Sequence, residues 1–324
     1  SAGADPGPAC YGHGGTEPTV TDACLVLGWL DPAHPLADEL RLDPGAAERA
    51  LTPLARALGK GHTVTRVAAG IVTVATAAMA RALKRVSVAR GIDPRGMTLL
   101  PFGGAGPLFG CALADALGMT RVAIPPHPGV LSALGLAAAG ERVEIVASAH
   151  APLRRLDGAA LARLFAPLCA AARAEVAGDA RFTRLADCRF AGQGYELTVP
   201  VPADDPAALA AAFHEAHRAR HGHADLALPV ELVNVRVVAE GPGATPPLRS
   251  PHAGPAEALP PVRRQIVTRD DAVVRAEVWA LAGLAPGQRL QGPAILAGPD
   301  ATALIEPGFR GTVHASGTVV VERG

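Results

Sequence analysis

The sequence predicts a mixed α/β fold, and three observations carry that expectation. Residues 97–125 read as strand, glycine turn, helix, strand, the unit from which α/β sheets are built. A long segment, 64–90, repeats apolar residues at helical spacing. Beyond residue 262 the chain breaks into short runs of alternating apolar and polar residues separated by turn signals. The 324 residues suit about two domains at roughly 100–200 residues each.

Taken in order, residues 1–20 read as loop. Thr21 or Asp22 reads as the N-cap of a short helix over 23–27 that Gly28 ends, and Pro44 sits at the first turn of a helix running to Leu58. In the 64–90 helix, Val64, Val67, Ile71, Val74 and Ala78 form one stripe expected to be buried. Arg81, Lys84, Arg85 and Arg90 crowd its C-terminal end, where cations suit the helix dipole, and Gly91 stops it. Then come a strand over 97–102, a turn over 103–106, a helix over 107–117, a strand over 121–125 and a buried helix over 129–139. Helices are expected over 161–176 and 207–221, and strands over 185–190, 195–201 and 231–238. Val233, Val235 and Val237 alternate with Asn234 and Arg236 in the last of these. Seven prolines in 241–262 predict a linker or extended crossing segment. Val274, Ala276 and Val278 mark a further strand, and Pro286-Gly287, Gly292-Pro293 and Pro307-Gly308 mark turns. The change of style near residue 150 predicts two regions, 1–150 and 151–324.

Composition narrows the function. Lys plus Arg and Asp plus Glu both number 30, so nothing in the charge attracts nucleic acid or an anionic membrane. No uninterrupted apolar run approaches the roughly 20 residues that span a bilayer; the longest, 129–140, is broken by Gly and Ser. Aromatic residues make up 3%, so the core must be built from Ala, Val and Leu. Five widely spaced cysteines without a CxxC pair point to reduced thiols in a cytoplasmic protein rather than a disulfide framework or zinc ribbon. The opening residue is Ser, no signal peptide is recognisable, and the first residues already read as structured loop. The expectation is a fragment, a processed product or one half of a split gene.

Several groups are candidates for chemistry. Gly103-Gly104-Ala105-Gly106 lies between a strand end and a helix start, where glycines admit a ligand to the backbone and free N–H groups suit a phosphate. The alternative is a turn needed only for close helix–strand packing. The dinucleotide pattern fails at Phe109, and no Walker A lysine exists. Asp5 and Asp22 are the catalytic candidates of the opening region, with an ordered connector and a helix cap as the competing readings. His214, His217 and His221 share a helix face, with His223 beyond, but no carboxylate or cysteine completes a metal set. Cys10, Cys24 and Cys111 lack a visible base partner and read as structural thiols.

The residues that carry a resemblance run from end to end: 1–12, Pro18 to Ala23, 25–28, Val86 to Val88 with Arg90, Gly91, Asp93 and Pro94, Phe102 to Pro107, and Pro126 to Gly135. Gly192, Gln193, Tyr195, Glu196 and Leu197, then Gly222-His223 and Gly292 to Ile295, continue it. In these motifs the chain resembles the hydantoinase A/5-oxoprolinase family. The resemblance implies the C-terminal half of an actin-like ATPase domain, as in Hsp70 and sugar kinases, followed by an α+β, β-rich C-terminal domain. It implies ATP-dependent opening of a cyclic amide such as 5-oxoproline or a hydantoin, with Mg2+ accompanying the ATP, inside a larger protein or complex. The partners implied are the missing N-terminal ATPase half, with its two Asp-Gly-Gly-Thr phosphate loops, and a hydantoinase B-type subunit. Phosphorylation of the amide oxygen would activate it toward water. Gly103, Gly104, Ala105 and Gly106 match the adenosine-side motif, and Asp5 and Asp22 would sit near the cleft. The chain departs from the family pattern at Cys24, Thr76, Ala78, Ala89 and Phe109; the changes at Thr76, Ala78 and Phe109 favour one alternative, a non-catalytic nucleotide-binding or assembly subunit, and a subunit of a related ketone carboxylase is another.

Overall fold

The computed structural model describes residues 3, 5–33, 40–244 and 261–324. Helix α1 (Val20–Val26) is capped by Thr19, two or three residues before the expected Thr21 or Asp22. Thr19 Oγ1 accepts the Asp22 N–H while the Asp22 carboxylate accepts the Thr19 N–H, a reciprocal box that the Thr-x-x-Asp spacing encodes. Helix α2 (Pro44–Leu58) starts at the expected proline, with Asp43 capping Ala46. Helix α3 (Val64–Val86) is capped by Thr63 and followed by a 3₁₀ turn that ends at Gly91 in the left-handed region.

The stripe expected to be buried on α3 is rotated. Val67 is buried as expected, and with it Ala68, Ala69, Val72, Thr76 and Ala80 face the core, whereas Val74 is 68% exposed. Small side chains let α1 and α2 approach closely, and Ile71, Val74 and Ala78 instead line an apolar groove with Leu54 and Leu58. Against the expectation that no stretch suits a bilayer, the segment Val64–Arg90 is long and apolar enough by composition alone. Its alanines raise the mean without an unbroken run of large apolar residues, and one face belongs to the core.

The strand–turn–helix–strand unit forms as expected but with shorter elements: β1 (Thr98–Leu99), a 3₁₀ turn over Gly106–Phe109, α4 (Gly110–Leu117) and β2 (Arg121–Ile124), with β1 and β2 parallel. Helix α5 (Leu131–Ala138) was expected to be buried, yet none of its residues is, and Leu136 is among the exposed large apolar side chains. Strand β3 (Arg142–Pro152) was not foreseen, although exposed and half-buried positions alternate along most of its 11 residues. Then come α6 (Gly158–Glu175), β4 (Arg181–Phe190), β5 (Leu197–Pro200), α7 (Pro206–His221) and β6 (Val230–Glu240). Residues 245–260 of the expected crossing segment lie outside the described residues. The chain closes with β7 (Val262–Val267), β8 (Val273–Ala280), β9 (Arg289–Gln291), β10 (Ala294–Ala297), β11 (Thr302–Ile305), β12 (Phe309–Val313) and β13 (Val319–Arg323).

Contacts divide the chain into two units, Ser1–Leu134 with Pro247–Gly324, and Gly135–Pro246. The expected division at residue 150 therefore takes another form: the last seven strands return to the first unit. Strand β13 pairs antiparallel with β2, which extends the β1–β2 pair into a five-stranded sheet of order β1-β2-β13-β12-β9. A second sheet of this unit, β11-β10-β8-β7, joins Ile266, Ala276, Ile295 and Leu304 to the core beneath α1, α2 and α3. Burial of these apolar side chains, at roughly 25 cal/mol per Å2, makes the two chain segments of the first unit interdependent.

The second unit is an antiparallel sheet of order β3-β6-β4-β5. Phe165 of α6 and Phe213 of α7 pack with Cys188, Phe190, Val199, Val235 and Val237 on one face. Alternation sends Asp187, Asn234 and Arg236 to the other face. There the buried Asp187 carboxylate accepts from Arg236 Nη2 at 2.9 Å, Asn234 Nδ2 at 3.0 Å and Thr198 Oγ1 at 2.6 Å.

In the first unit, Glu306 follows β11 and is buried. Arg269 Nε lies 3.2 Å from its Oε2, but Arg269 also serves Asp115 at 2.8 Å, and Oε1 has no partner. Burial outweighs the shared cation and pushes the Glu306 carboxyl up from 4.5 to about 7. Between those values the folded chain holds a proton that the unfolded chain releases, so this group's contribution to stability falls as pH rises from about 4.5 to about 7. Glu306→Gln is expected to remove that slope, raising stability relative to the parent by at most about 3 kcal/mol above pH 7 and little at pH 5. Urea midpoints of both proteins across that range check it.

Candidate functional site

Asp22 is wholly buried. Its Oδ1 accepts the Cys10 N–H at 2.8 Å, and its Oδ2 accepts from the Ala9 N–H, the Thr19 N–H and Thr19 Oγ1 at 3.3, 2.9 and 2.7 Å. A carboxylate so supplied with donors stays where the fold needs it, and here it ties the 3₁₀ turn Ala9–Tyr11 to the start of α1. Asp5, the other acidic candidate, is exposed and does not meet Asp22.

The glycine turn takes the position expected of it. Gly103 has φ of 83°, a conformation that favours glycine, and its N–H bonds the Pro128 carbonyl at 2.8 Å. Gly104 and Ala105 line a cavity of about 240 Å3 together with Tyr11, Thr21, Cys24, Asp300 and Thr302. Gly103 and Gly106 are not in the lining. The far wall comes from the loop between β10 and β11, held against the turn from Pro128 onward. Asp300 Oδ2 accepts the Gly129 N–H at 2.9 Å, and a Cβ on Gly129 would stand 2.1 Å from the Asp300 carbonyl oxygen. Asp300 Oδ1 is buried without a partner, an unmet acceptor among the residues that line this cavity. Sequence reading missed Asp300: it lies 171 residues beyond Gly129, in a Gly-Pro-Asp stretch that reads as an ordinary turn.

The thiols have the structural character expected of them. Cys24 meets the cavity, but burial pushes it up to about 12, and burial does the same for Cys111. Cys10 is raised by burial and then by the adjacent Asp22 carboxylate. All three are protonated at neutral pH and are poor nucleophiles. Among the departures, Phe109 is buried edge-on to Trp29, with ring centroids 6.3 Å apart, and Thr76 Oγ1 donates to the Val72 carbonyl within its own helix. Neither lines the cavity, so their polar counterparts are not losses from its wall.

A match to the hydantoinase/oxoprolinase family model spans residues 1–145, and a match to the C-terminal domain of hydantoinase/oxoprolinase spans 203–317. The chain belongs to the hydantoinase/oxoprolinase family. An uncharacterized protein of Methanocaldococcus jannaschii is 36% identical across this whole chain, which covers 47% of that relative. Caprolactamase subunit alpha of Pseudomonas jessenii is 33% identical across the whole chain, with 49% of it covered. The crystal structure of the ATP-dependent caprolactamase from that organism superposes over all of this chain and 49% of its own, with a TM-score of 0.76 and 31% identity. The nucleotide-free structure of acetone carboxylase, at 22% identity, shares the fold over 98% of this chain and 48% of its own, with a TM-score of 0.77. The chain thus spans about half the length of the curated relatives it matches. The mixed α/β class with several sheets, expected for the C-terminal half of an actin-like ATPase domain and a β-rich continuation, stands.

The two acidic candidates should separate on substitution. Asp22→Ala strands four buried or half-buried donors and is expected to cost about 2–4 kcal/mol, whereas Asp5→Ala should stay within about 0.5 kcal/mol of the parent. Urea unfolding of the two variants measures both.

Proposed function

We propose that this chain is the nucleotide-contacting half of an ATP-dependent hydrolase that opens a cyclic amide, and that the base of ATP enters the cavity beside Gly104 and Ala105. The approach of the Gly104 and Ala105 backbone to the cavity carries the reading. The cavity of about 240 Å3 is smaller than the roughly 300–1,000 Å3 of pockets that enclose a drug-sized ligand, which suits a base rather than a whole nucleotide. Gly104 and Ala105 offer backbone at close approach, and Tyr11 and Thr21 add a ring and a hydroxyl to the same wall.

ATP supplies phosphorylation of the amide oxygen, which makes the ring carbonyl open to water. This chain's own part is to hold the base and to exclude water from it. Among the described residues no group of three or more His, Cys, Asp or Glu side chains is placed to hold a metal ion, and Mg2+ would be carried by the phosphates of the nucleotide. The phosphate loops and the hydrolytic partner belong to the remainder of the assembly: an N-terminal ATPase half and a hydantoinase B-type subunit.

One observation favours a second reading, a subunit that binds nucleotide without doing chemistry. Asp300 is the one acidic side chain that lines the cavity among the described residues, Asp22 is consumed by backbone donors, and the Cys24 thiol is protonated. No acid–base pair is therefore present. Either the chemistry is completed by groups outside this chain or the chain serves binding alone; a carboxylase subunit fits the same geometry.

Thermal unfolding and calorimetric titration of the chain with Mg-ADP and Mg-GDP test the proposal. ADP is expected to raise the melting temperature, and the response to GDP measures how far the cavity discriminates between purines. Ala105→Leu, at an exposed position of the cavity wall, fills the space beside the base and should weaken ADP about tenfold. Absence of any response to ADP by the folded chain would overturn a nucleotide role for it.

A further inference from the structure

The second unit holds another cavity, of about 680 Å3, that the nucleotide reading does not use. One wall is the turn between β4 and β5, where Gly192 takes a φ of 86° and the chain reverses to present Gln193 and Glu196. The facing wall is the last turn of α7 and its exit, where Gly222 takes a φ of 79°, presenting His217, Arg220, His221 and His223.

The polar groups of these walls are poised but unspent. Among the described residues neither Glu196 nor Arg220 forms an ion pair or a side-chain hydrogen bond, with each other or with anything else, although both line the same space. The imidazoles are oriented by backbone. His217 is buried, and its Nδ1 lies 2.7 Å from the His223 carbonyl oxygen; His223 Nδ1 lies 3.2 Å from the His221 carbonyl oxygen. A carbonyl only accepts, so Nδ1 carries the proton in both rings and Nε2 remains the acceptor of each neutral imidazole. His221 is held below its ordinary value by desolvation, with His217 and Arg220 adding to it. The cavity accordingly places the permanent positive charge of Arg220 on one wall and the carboxylate of Glu196 on the other.

That arrangement selects against simple ions. An anion reaching Arg220 would meet Glu196 uncompensated, and a cation reaching Glu196 would meet Arg220. A molecule with both charges satisfies both. We propose that this cavity binds a zwitterionic amino acid, its carboxylate on Arg220 and its ammonium on Glu196. The site stands on groups of the second unit alone and does not depend on the nucleotide reading.

Straight-chain ω-amino acids from glycine to 8-aminooctanoate probe it, each against the carboxylic acid and the amine of equal length. Titrations at low ionic strength would be followed by histidine Cε1–H resonances and calorimetry. At least one amino acid should bind about fivefold more tightly than both of its monofunctional counterparts, the increment of one added charged contact in a half-exposed site. Arg220→Ala should weaken that amino acid and the acid alike. Glu196→Gln should erase its advantage over the acid and leave the acid unchanged or stronger. Both positions are exposed, so the variants are expected to remain folded, and circular dichroism verifies it. Equal binding of amino acid, acid and amine at every length, no saturable binding, or variants that bind like the parent would overturn the proposal.

Discussion

The first unit is organised around one carboxylate. Asp22 gathers donors from Ala9, Cys10 and Thr19, and so joins the opening turn to the first helix at a point with no access to water. Of the residues that line the 240 Å3 cavity from this side, Tyr11, Val20, Thr21 and Cys24 lie within two residues of Asp22 or of a group it anchors, and Leu30 lies beyond α1. A buried carboxylate is tolerable only because its acceptor capacity is met, and meeting it fixes backbone that has no regular structure of its own. The cavity is therefore bounded by a loop with the positional certainty of a secondary-structure element.

Opposite that loop, close backbone approach does the work that side chains do elsewhere. Gly129 and the carbonyl of Asp300 come nearer than any side chain would allow, and the aspartate turns back to hold the same glycine's N–H. The low aromatic content has the same consequence in the helices. Ala68, Ala69 and Ala80, with Val67 and Val72, let α3 settle closely on its neighbours, while Ile71 and Val74 are left at the edge of a groove. Packing in this protein rests on smallness and proximity more than on bulk.

Much of the fold was legible because its signals are local. Pro44, the Val-rich alternation of 231–238 and the strand–turn–helix–strand unit each occupy a single window, and each formed close to where the pattern placed it. The readings that failed needed distant information. Which face of α3 is inward depends on how small its partners' contact surface is, a property of the packed pair rather than of the stripe. Helix α5 has an apolar sequence but no buried residue, because no element covers it among the described residues. In the candidate site, the glycine turn was legible from its composition and position. Asp300 was not, since nothing near Pro299 signals that its carboxylate reaches a segment 171 residues earlier. Asp22 was legible as a residue that matters but not as to why; the Thr-x-x-Asp spacing names a cap, and only the long-range bonds to Ala9 and Cys10 reveal the larger task.

The division of the first unit into two stretches of chain bears on the order in which the protein takes shape during synthesis. Its core includes Ile266, Ala276, Ile295 and Leu304, so helices α1 to α3 emerge from the ribosome long before the strands that complete their burial. The second unit suffers no such delay. It is contiguous, and its two ends meet where the Gly241 N–H bonds the Glu141 carbonyl at 2.8 Å. A nascent chain at residue 246 would then hold a finished second unit behind an unfinished first one, with an apolar surface waiting on the last eighty or so residues. Arrest or premature termination in that interval would release a species half folded and prone to associate, which gives the late strands an importance for yield in the cell quite apart from any part they play in binding.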